Sequence, residues 1–271
     1  MRLKLAYTVA TPDTTTSPML AYRGELDQVF GTLAELGYDG VELMLRDPAA
    51  LDAGAIARLA RAHGLAVAAI GTGQVAEEDK LTLLAAEPAG RAAAVERLRA
   101  VLRFGGQFGA PVVIGRFRGA VPRGVSRAEG LDWLAAGLAA AAETAREVGV
   151  PIVIEPQNRF NTNIIFTVME GVELIERIGS EWVTVLGDTF HMNIEEVSMT
   201  APLLTAGRHL RHMHFGDSNR LAPGRGHLNF PEILAALAAA RYDGFISLEI
   251  VQQGDSARAA RQAITYLRAL E

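Results

Sequence analysis

A chain of 271 residues with 49% hydrophobic content is long enough for one large α/β barrel or two small domains, with ample core for either. Zero cysteines exclude a disulfide framework, thiolate metal sites and a cysteine nucleophile, and fit a reducing compartment. A formal net charge of -5 gives no basic field against a phosphate backbone, so nucleic acid is not an expected partner.

The N-terminal run MRLKLAYTVATP mixes polar residues into its apolar stretch and has no signal-like core, and no window reaches the roughly 18 consecutive apolar residues of a membrane span. The expectation is a cytoplasmic protein without membrane contact. Leu3 to Tyr7 reads as a first strand, followed by a polar loop with Pro12 and Pro18 and a helical pattern from Glu25 to Leu36. Gly37 is the stop signal of that helix. Gly40 to Leu43 is the second strand, delivering Glu42 and then Arg46 and Asp47, and Gly54 to His63 the second helix. Leu65 to Ile70 is the third strand and runs into GTGQ. A dinucleotide loop is not indicated there, because the third glycine and the downstream acid are out of place. A helix follows over 90–108, then the fourth strand Pro111 to Ile114, with Arg116 and Arg118 in its loop. Ser126 and Glu129 stand in capping-box spacing at the head of a long Ala-rich helix that ends at Val148.

Val150 to Glu155 is the fifth strand, Thr167 to Ile178 a helix, and Trp182 to Gly187 the sixth strand, ending at Asp188. A sixth helix falls somewhere in 194–206. The seventh strand ends at His214, a helix covers Pro231 to Ala240, the eighth strand is Gly244 to Glu249, and an amphipathic helix Ser256 to Leu270 closes the series. No linker interrupts it. Alternating strands and helices imply a parallel sheet, and about 250 residues is the usual size of a (β/α)8 TIM barrel, so residues 1–271 are expected to form a single α/β barrel domain.

Strands five to eight each deliver a metal-ligand type at the carboxyl end: Glu155, Asp188, His214 and Glu249. Barrel strand ends converge on one mouth, so distant residues can surround one point. Three carboxylates and an imidazole carry about -3, a site for Mn, Mg or Co rather than a thiolate-selective ion. Each of these alone is most simply a solvated loop acid, a helix cap or a core histidine. Four consecutive strands delivering one each favour the functional reading. His212, two residues before His214, is a rival ligand. A metal held by carboxylates can acidify the C–H beside a carbonyl by stabilising an enediolate. Two bases on opposite faces, for which Glu155 and Glu249 are placed, would then give epimerisation.

The strings IEPQNRF, GDTFHMN, HFGDSNR and SLE resemble the xylose-isomerase-like TIM-barrel superfamily of sugar isomerases and epimerases, in particular ketose 3-epimerases of the D-tagatose 3-epimerase kind. The resemblance implies a divalent metal, Mn foremost, on Glu155, Asp188, His214 and Glu249. It also implies Glu155 and Glu249 as the acid/base pair, and His191 and Arg220 on substrate oxygens. VELMLRDP, AIGTGQ, DTFHMNIEE and SNRLAPGRGH look most like the branch that includes 5-keto-L-gluconate epimerase, which implies a ketose or a keto sugar acid of the tagaturonate type as substrate. Asn161 departs from the tagatose epimerases, which have a substrate-contacting Glu there. Loss of that charge would ease binding of an anion, with Arg46, Arg116 and Arg118 as candidate carboxylate clamps. Taken singly, each arginine reads equally well as a surface residue.

Glu42 could bind a substrate hydroxyl or pair with an arginine. His227 reads as a loop or supporting residue at the substrate side, and His63 as a helix-end cap. Rival readings that share the site are an inosose dehydratase or isomerase and a hydroxypyruvate isomerase. A zinc phosphodiesterase of the endonuclease IV type needs further histidines that strands one to four lack. Barrels of this family often pair, so a homo-oligomer is expected by analogy.

Overall fold

In the computed structural model, which describes residues 2–16 and 20–271, eight parallel strands pair in chain order and the eighth returns to the first, closing a barrel. Pro18 lies outside the described residues. The first half runs β1 (Lys4–Ala10), α1 (Leu26–Leu36), β2 (Gly40–Met44), α2 (Ala53–Ala62), β3 (Ala66–Gly71), α3 (Gly73–Asp79), α4 (Pro88–Gly106), β4 (Val112–Ile114) and α5 (Arg127–Val148). The second half runs β5 (Ile152–Ile154), α6 (Val168–Ile178), β6 (Val183–Asp188), α7 (Thr189–Glu195), α8 (Ala201–Ala206), β7 (Leu210–Phe215), α9 (Phe230–Ala239), β8 (Phe245–Leu248) and α10 (Ser256–Arg268).

Local chemistry explains the helix ends. Ser126 and Thr167 accept from the backbone N–H groups of Glu129 and Glu170 and so cap α5 and α6. Gly37 ends α1 at φ 92°, a left-handed conformation that glycine adopts without Cβ strain. Pro88 starts α4, two residues before the expected boundary, because a proline at the first helical position loses no hydrogen bond.

The expected sixth helix over 194–206 is two shorter ones. α7 starts directly at the end of β6, capped by Asp188, and α8 follows a break. α3 begins within GTGQ, at Gly73, where the sequence pattern predicts no helix. No helix among the described residues is long and apolar enough to cross a membrane.

Side-chain alternation along the strands sorts the interior. Outward residues such as Leu5, Val41, Met213 and Phe215 pack under the helices in the main core, while Ala69, Val113, Val153 and Leu186 fill one side of the barrel interior. Thr8, Glu42, His212 and Ser247 occupy the rest of that interior and are fully or almost fully buried.

Candidate active site

At the carboxyl end of the barrel the inward positions divide by chemistry. After β3 and β4 they are Gly71 and Gly115, and β2 supplies Met44; β5 to β8 supply Glu155, Asp188, His214 and Glu249. Small residues on one side leave a cavity of about 340 Å³ beside the ligand-bearing side. One ligand atom from each of Glu155, Asp188, His214 and Glu249 lies within 4.8 Å of all the others, and all four residues are buried. His214 Nδ1 stands 3.3 Å from Glu155 Oε1, 3.8 Å from Asp188 Oδ2 and 3.5 Å from Glu249 Oε2.

The partner atoms of these groups show what the arrangement is for. Asp188 spends Oδ1 on capping α7, accepting from Phe190 N at 2.8 Å and His191 N at 3.3 Å. Glu155 holds Oε2 on the Gln157 amide at 2.8 Å. The remaining atoms, Glu155 Oε1, Asp188 Oδ2 and His214 Nδ1, are buried and face one another; Glu155 Oε1 and His214 Nδ1 make no hydrogen bond, and Asp188 Oδ2 has the Arg220 guanidinium 2.9 Å away. Buried polar atoms without partners are costly, so a cluster of them converging on one point is the signature of a group held there. Burial works against charge on His214, yet Glu42, Asp188 and Glu155 around it hold its pKa well above the ordinary imidazole value. The oxygen-rich donor set fits Mn, Mg or Co.

Glu42 lines the inner end of the cavity and is bonded to two histidines. It is fully buried and accepts from His212 Nε2 at 2.9 Å and from His214 Nε2 at 3.1 Å on both oxygens. Burial opposes its ionisation, but His214 and His212 hold its carboxyl well below the usual range. Its partners in this structure are His212 and His214, with no arginine among them. His212 points its Nε2 at Glu42 and at Ser247 Oγ, 3.0 Å away, so it stands beneath the ligand cluster and not in it.

His191 and Arg220 both line the cavity. The backbone N–H of Asn158 donates to His191 Nδ1 at 3.3 Å. A backbone N–H can only donate, so Nδ1 is an acceptor, while Nε2 stands 3.4 Å from Arg220 Nη1 and 3.9 Å from Glu155 Oε1, at the edge of the ligand cluster. Burial pushes the His191 pKa down to about 4, which keeps the ring neutral. Arg220 sits at φ 61°, in a turn closed by its N–H on Asp217 O at 2.8 Å. Its guanidinium lies over the Phe190 ring, 2.9 Å from Asp188 Oδ2 and paired with Glu249. A left-handed non-glycine residue at such a site is held by its surroundings. Asp217 supplies them, accepting from Ser218, Gly224 and Leu228 N–H groups.

Asn161 and Arg116 line the outer cavity, as the sequence reading allows, although Arg116 is paired with Glu77 at 2.8 Å. Arg46, Arg118 and His227 are not among the residues lining the cavity. Arg46 is turned away by Asp79, 2.6 Å from its Nε, and by Glu78. Arg118 is buried in the wall, where Nη1 donates to the Glu155 backbone oxygen at 2.8 Å and burial lowers its pKa to about 10. His227 is exposed on the loop and does not line the cavity. His63 does end α2, and its ring bonds Asp27 of α1 at 2.7 Å. Gln157, Asn158 and Phe190 were missed as site residues. All three stand inside the strings IEPQNRF and GDTFHMN, but a string does not say which side chain bonds which.

A family model described as xylose isomerase-like TIM barrel matches residues 30–270. The chain belongs to the xylose isomerase-like TIM barrel family. Within that family it is 32% identical over 229 residues to an L-ribulose 3-epimerase of Mesorhizobium japonicum, covering 84% of this chain and 76% of that protein. It is 30% identical over 217 residues to a ketose 3-epimerase of Arthrobacter globiformis, covering 79% and 74%. A solved structure of an L-ribulose 3-epimerase superposes with TM-score 0.81 at 27% identity, over 97% of this chain and 93% of that one. These relatives are carbohydrate epimerases, and the chain is an enzyme of their class, the isomerases.

Proposed function

We propose that this xylose isomerase-like barrel is a divalent-metal-dependent epimerase that inverts the carbon next to the ketone of an uncharged ketose, with Glu155 and Glu249 as its acid and base. The observation that carries the reading is the convergence of Glu155 Oε1, Asp188 Oδ2 and His214 Nδ1, all buried, with Glu155 Oε1 and His214 Nδ1 making no hydrogen bond, on one point beside Glu249. These four residues would hold the ion, Mn foremost, with Mg or Co as substitutes. When bound, the cation would polarise the ketone and stabilise the negative charge of an enediolate.

The residues of the chain do the rest. Glu155 and Glu249 leave β5 and β8, three strands apart in an eight-stranded barrel, so they approach the substrate from different sides. One carboxylate takes the proton from the carbon beside the ketone and the other returns a proton to the opposite face, which inverts that centre. His191, its Nδ1 held by the Asn158 backbone N–H, and the Arg220 guanidinium, braced on Phe190, bind substrate oxygens. Asn161 contacts the far end of the sugar from the outer wall.

What supports an uncharged substrate is the set of cations at hand. Among the described residues, the arginines lining the cavity are Arg116, paired with Glu77, and Arg220, paired with Asp188 and Glu249. A sugar carboxylate would have to break one of these pairs to find a partner.

The test is proton–deuterium exchange followed by NMR in D2O with Mn-loaded protein, using L-ribulose and D-tagatose beside 5-keto-gluconate and tagaturonate. Exchange beside the ketone with appearance of the epimer of a neutral ketose is the expected result. Exchange confined to the keto acids would overturn the uncharged substrate and restore the sugar-acid branch. Exchange with loss of water, or none with any compound, would overturn the epimerase.

A further inference from the structure

Of the buried polar groups that the proton transfers leave unused, the largest cluster lies directly beneath the ligand ring: Glu42, His212 and Ser247. Glu42 comes from β2, on the far side of the barrel from β7, and reaches His214 Nε2 with both carboxylate oxygens at 3.1 Å. The other nitrogen of the same ring, Nδ1, is the one that faces Glu155, Asp188 and Glu249. One imidazole therefore bridges two carboxylate environments, with Glu42 on one nitrogen and the ligand ring on the other.

We infer that Glu42 is the positioning residue for the metal ligand His214: it accepts the Nε2 proton, fixes the ring so that the Nδ1 lone pair points at the cation, and makes that nitrogen more basic. The inference rests on the divalent-cation reading of the site. Its physical basis is general. An imidazole ligand that donates its other N–H to a carboxylate has one tautomer and one orientation, and loses both when the carboxylate goes. His212 completes the clamp. Its Nε2 lies within hydrogen-bond distance of Glu42 Oε2 and of Ser247 Oγ, so the carboxylate cannot turn away from His214 without breaking that contact. Separations of 2.9 to 3.1 Å across this group are hydrogen-bond lengths, so Glu42, His212 and His214 form a support under the ring and not a second ion site.

The experiment titrates Mn2+ alone into metal-free protein by calorimetry, for wild type, Glu42→Gln and Glu42→Asp, with melting temperatures of the metal-free forms alongside. Glu42→Gln keeps the volume and loses the charged acceptor; Glu42→Asp keeps the charge in the core, so a folded variant is at hand, but shortens the reach to His214. Both are expected to bind Mn2+ about 10–100-fold more weakly. In the diamagnetic Mg2+-loaded wild type, the His214 15N signals should report a protonated Nε2, and in Glu42→Gln that single tautomer should be lost. If the variants melt lower without metal but bind Mn2+ as tightly as wild type, Glu42 is a core-stabilising residue only and the inference falls. If wild type itself binds no Mn2+, Mg2+ or Co2+, the metal reading falls first and takes this inference with it.

Discussion

Gly115→Ala tests the site through a single methyl group. A Cβ at Gly115 would lie 2.0 Å from Glu155 Oε2 and 2.8 Å from Gln157 Nε2. Ordinary contact begins near 3.4 Å, so Glu155 Oε2 would have to retreat by about 1.4 Å in a close-packed wall. That retreat breaks the 2.8 Å bond from Gln157 and carries Oε1 off the point it shares with Asp188 and His214. A misplacement of about 1 Å at a reacting group costs on the order of 100-fold in rate, whereas overpacking costs about 1–3 kcal/mol of stability. Gly115→Ala is therefore expected to stay folded and to lose about 100-fold in kcat for deuterium exchange, with weaker Mn2+ binding. Gly137, on α5 away from the cavity, would bring its new Cβ no closer than 3.5 Å to Val95 Cγ2. Gly137→Ala serves as the control, expected to keep kcat and gain about 0.5–1 kcal/mol. Turnover of Gly115→Ala within about threefold of wild type would refute the placement of Glu155 at the reacting carbon.

Glu155→Gln and Glu249→Gln are each expected to give a folded protein whose exchange rate is about 10²–10⁴-fold lower; near-normal turnover in both would exclude the two-base mechanism. Adding Mn2+ at about 100 times its dissociation constant should stabilise the fold by about 2.7 kcal/mol, read as a rise in melting temperature that EDTA reverses; an unchanged melting temperature would argue against the ion. The last prediction concerns Glu78 on α3. Burial opposes its ionisation, but donors from Thr15 and Thr16 outweigh it and hold the carboxyl down to about 2 from an ordinary 4.5. A folded-state value below the unfolded one means stability that is present above pH 4.5 and lost as the pH falls toward about 2. The melting-temperature gap between wild type and Glu78→Gln should close across that window, and parallel curves would remove Glu78 from the account.

Much of this protein is legible residue by residue, because the signals are local. The apolar runs ending at Glu155, Asp188, His214 and Glu249 have strand character in themselves, and Ser126, Thr167 and Gly37 set helix ends through bonds to backbone only a few residues away. Alternation along a strand then dictates that His212 and His214 share a face. Barrel closure, which brings four strand ends to one mouth, follows from eight repeats of one unit.

What the sequence could not decide is which atom meets which across the barrel. Arg46 and Arg118 have the right charge and the right loops for substrate clamps. Yet Asp79, 33 residues downstream, captures one of them, and the wall behind β5 buries the other. Glu42 meets His214 across 172 residues of chain, a pairing that no local pattern encodes. Capping and alternation are short-range and repeat along the chain. The partner of a buried charge depends on strand stagger and on which neighbours leave room, as Gly71 and Gly115 do opposite the ligands. Those are properties of the closed barrel, and only the tertiary structure holds them.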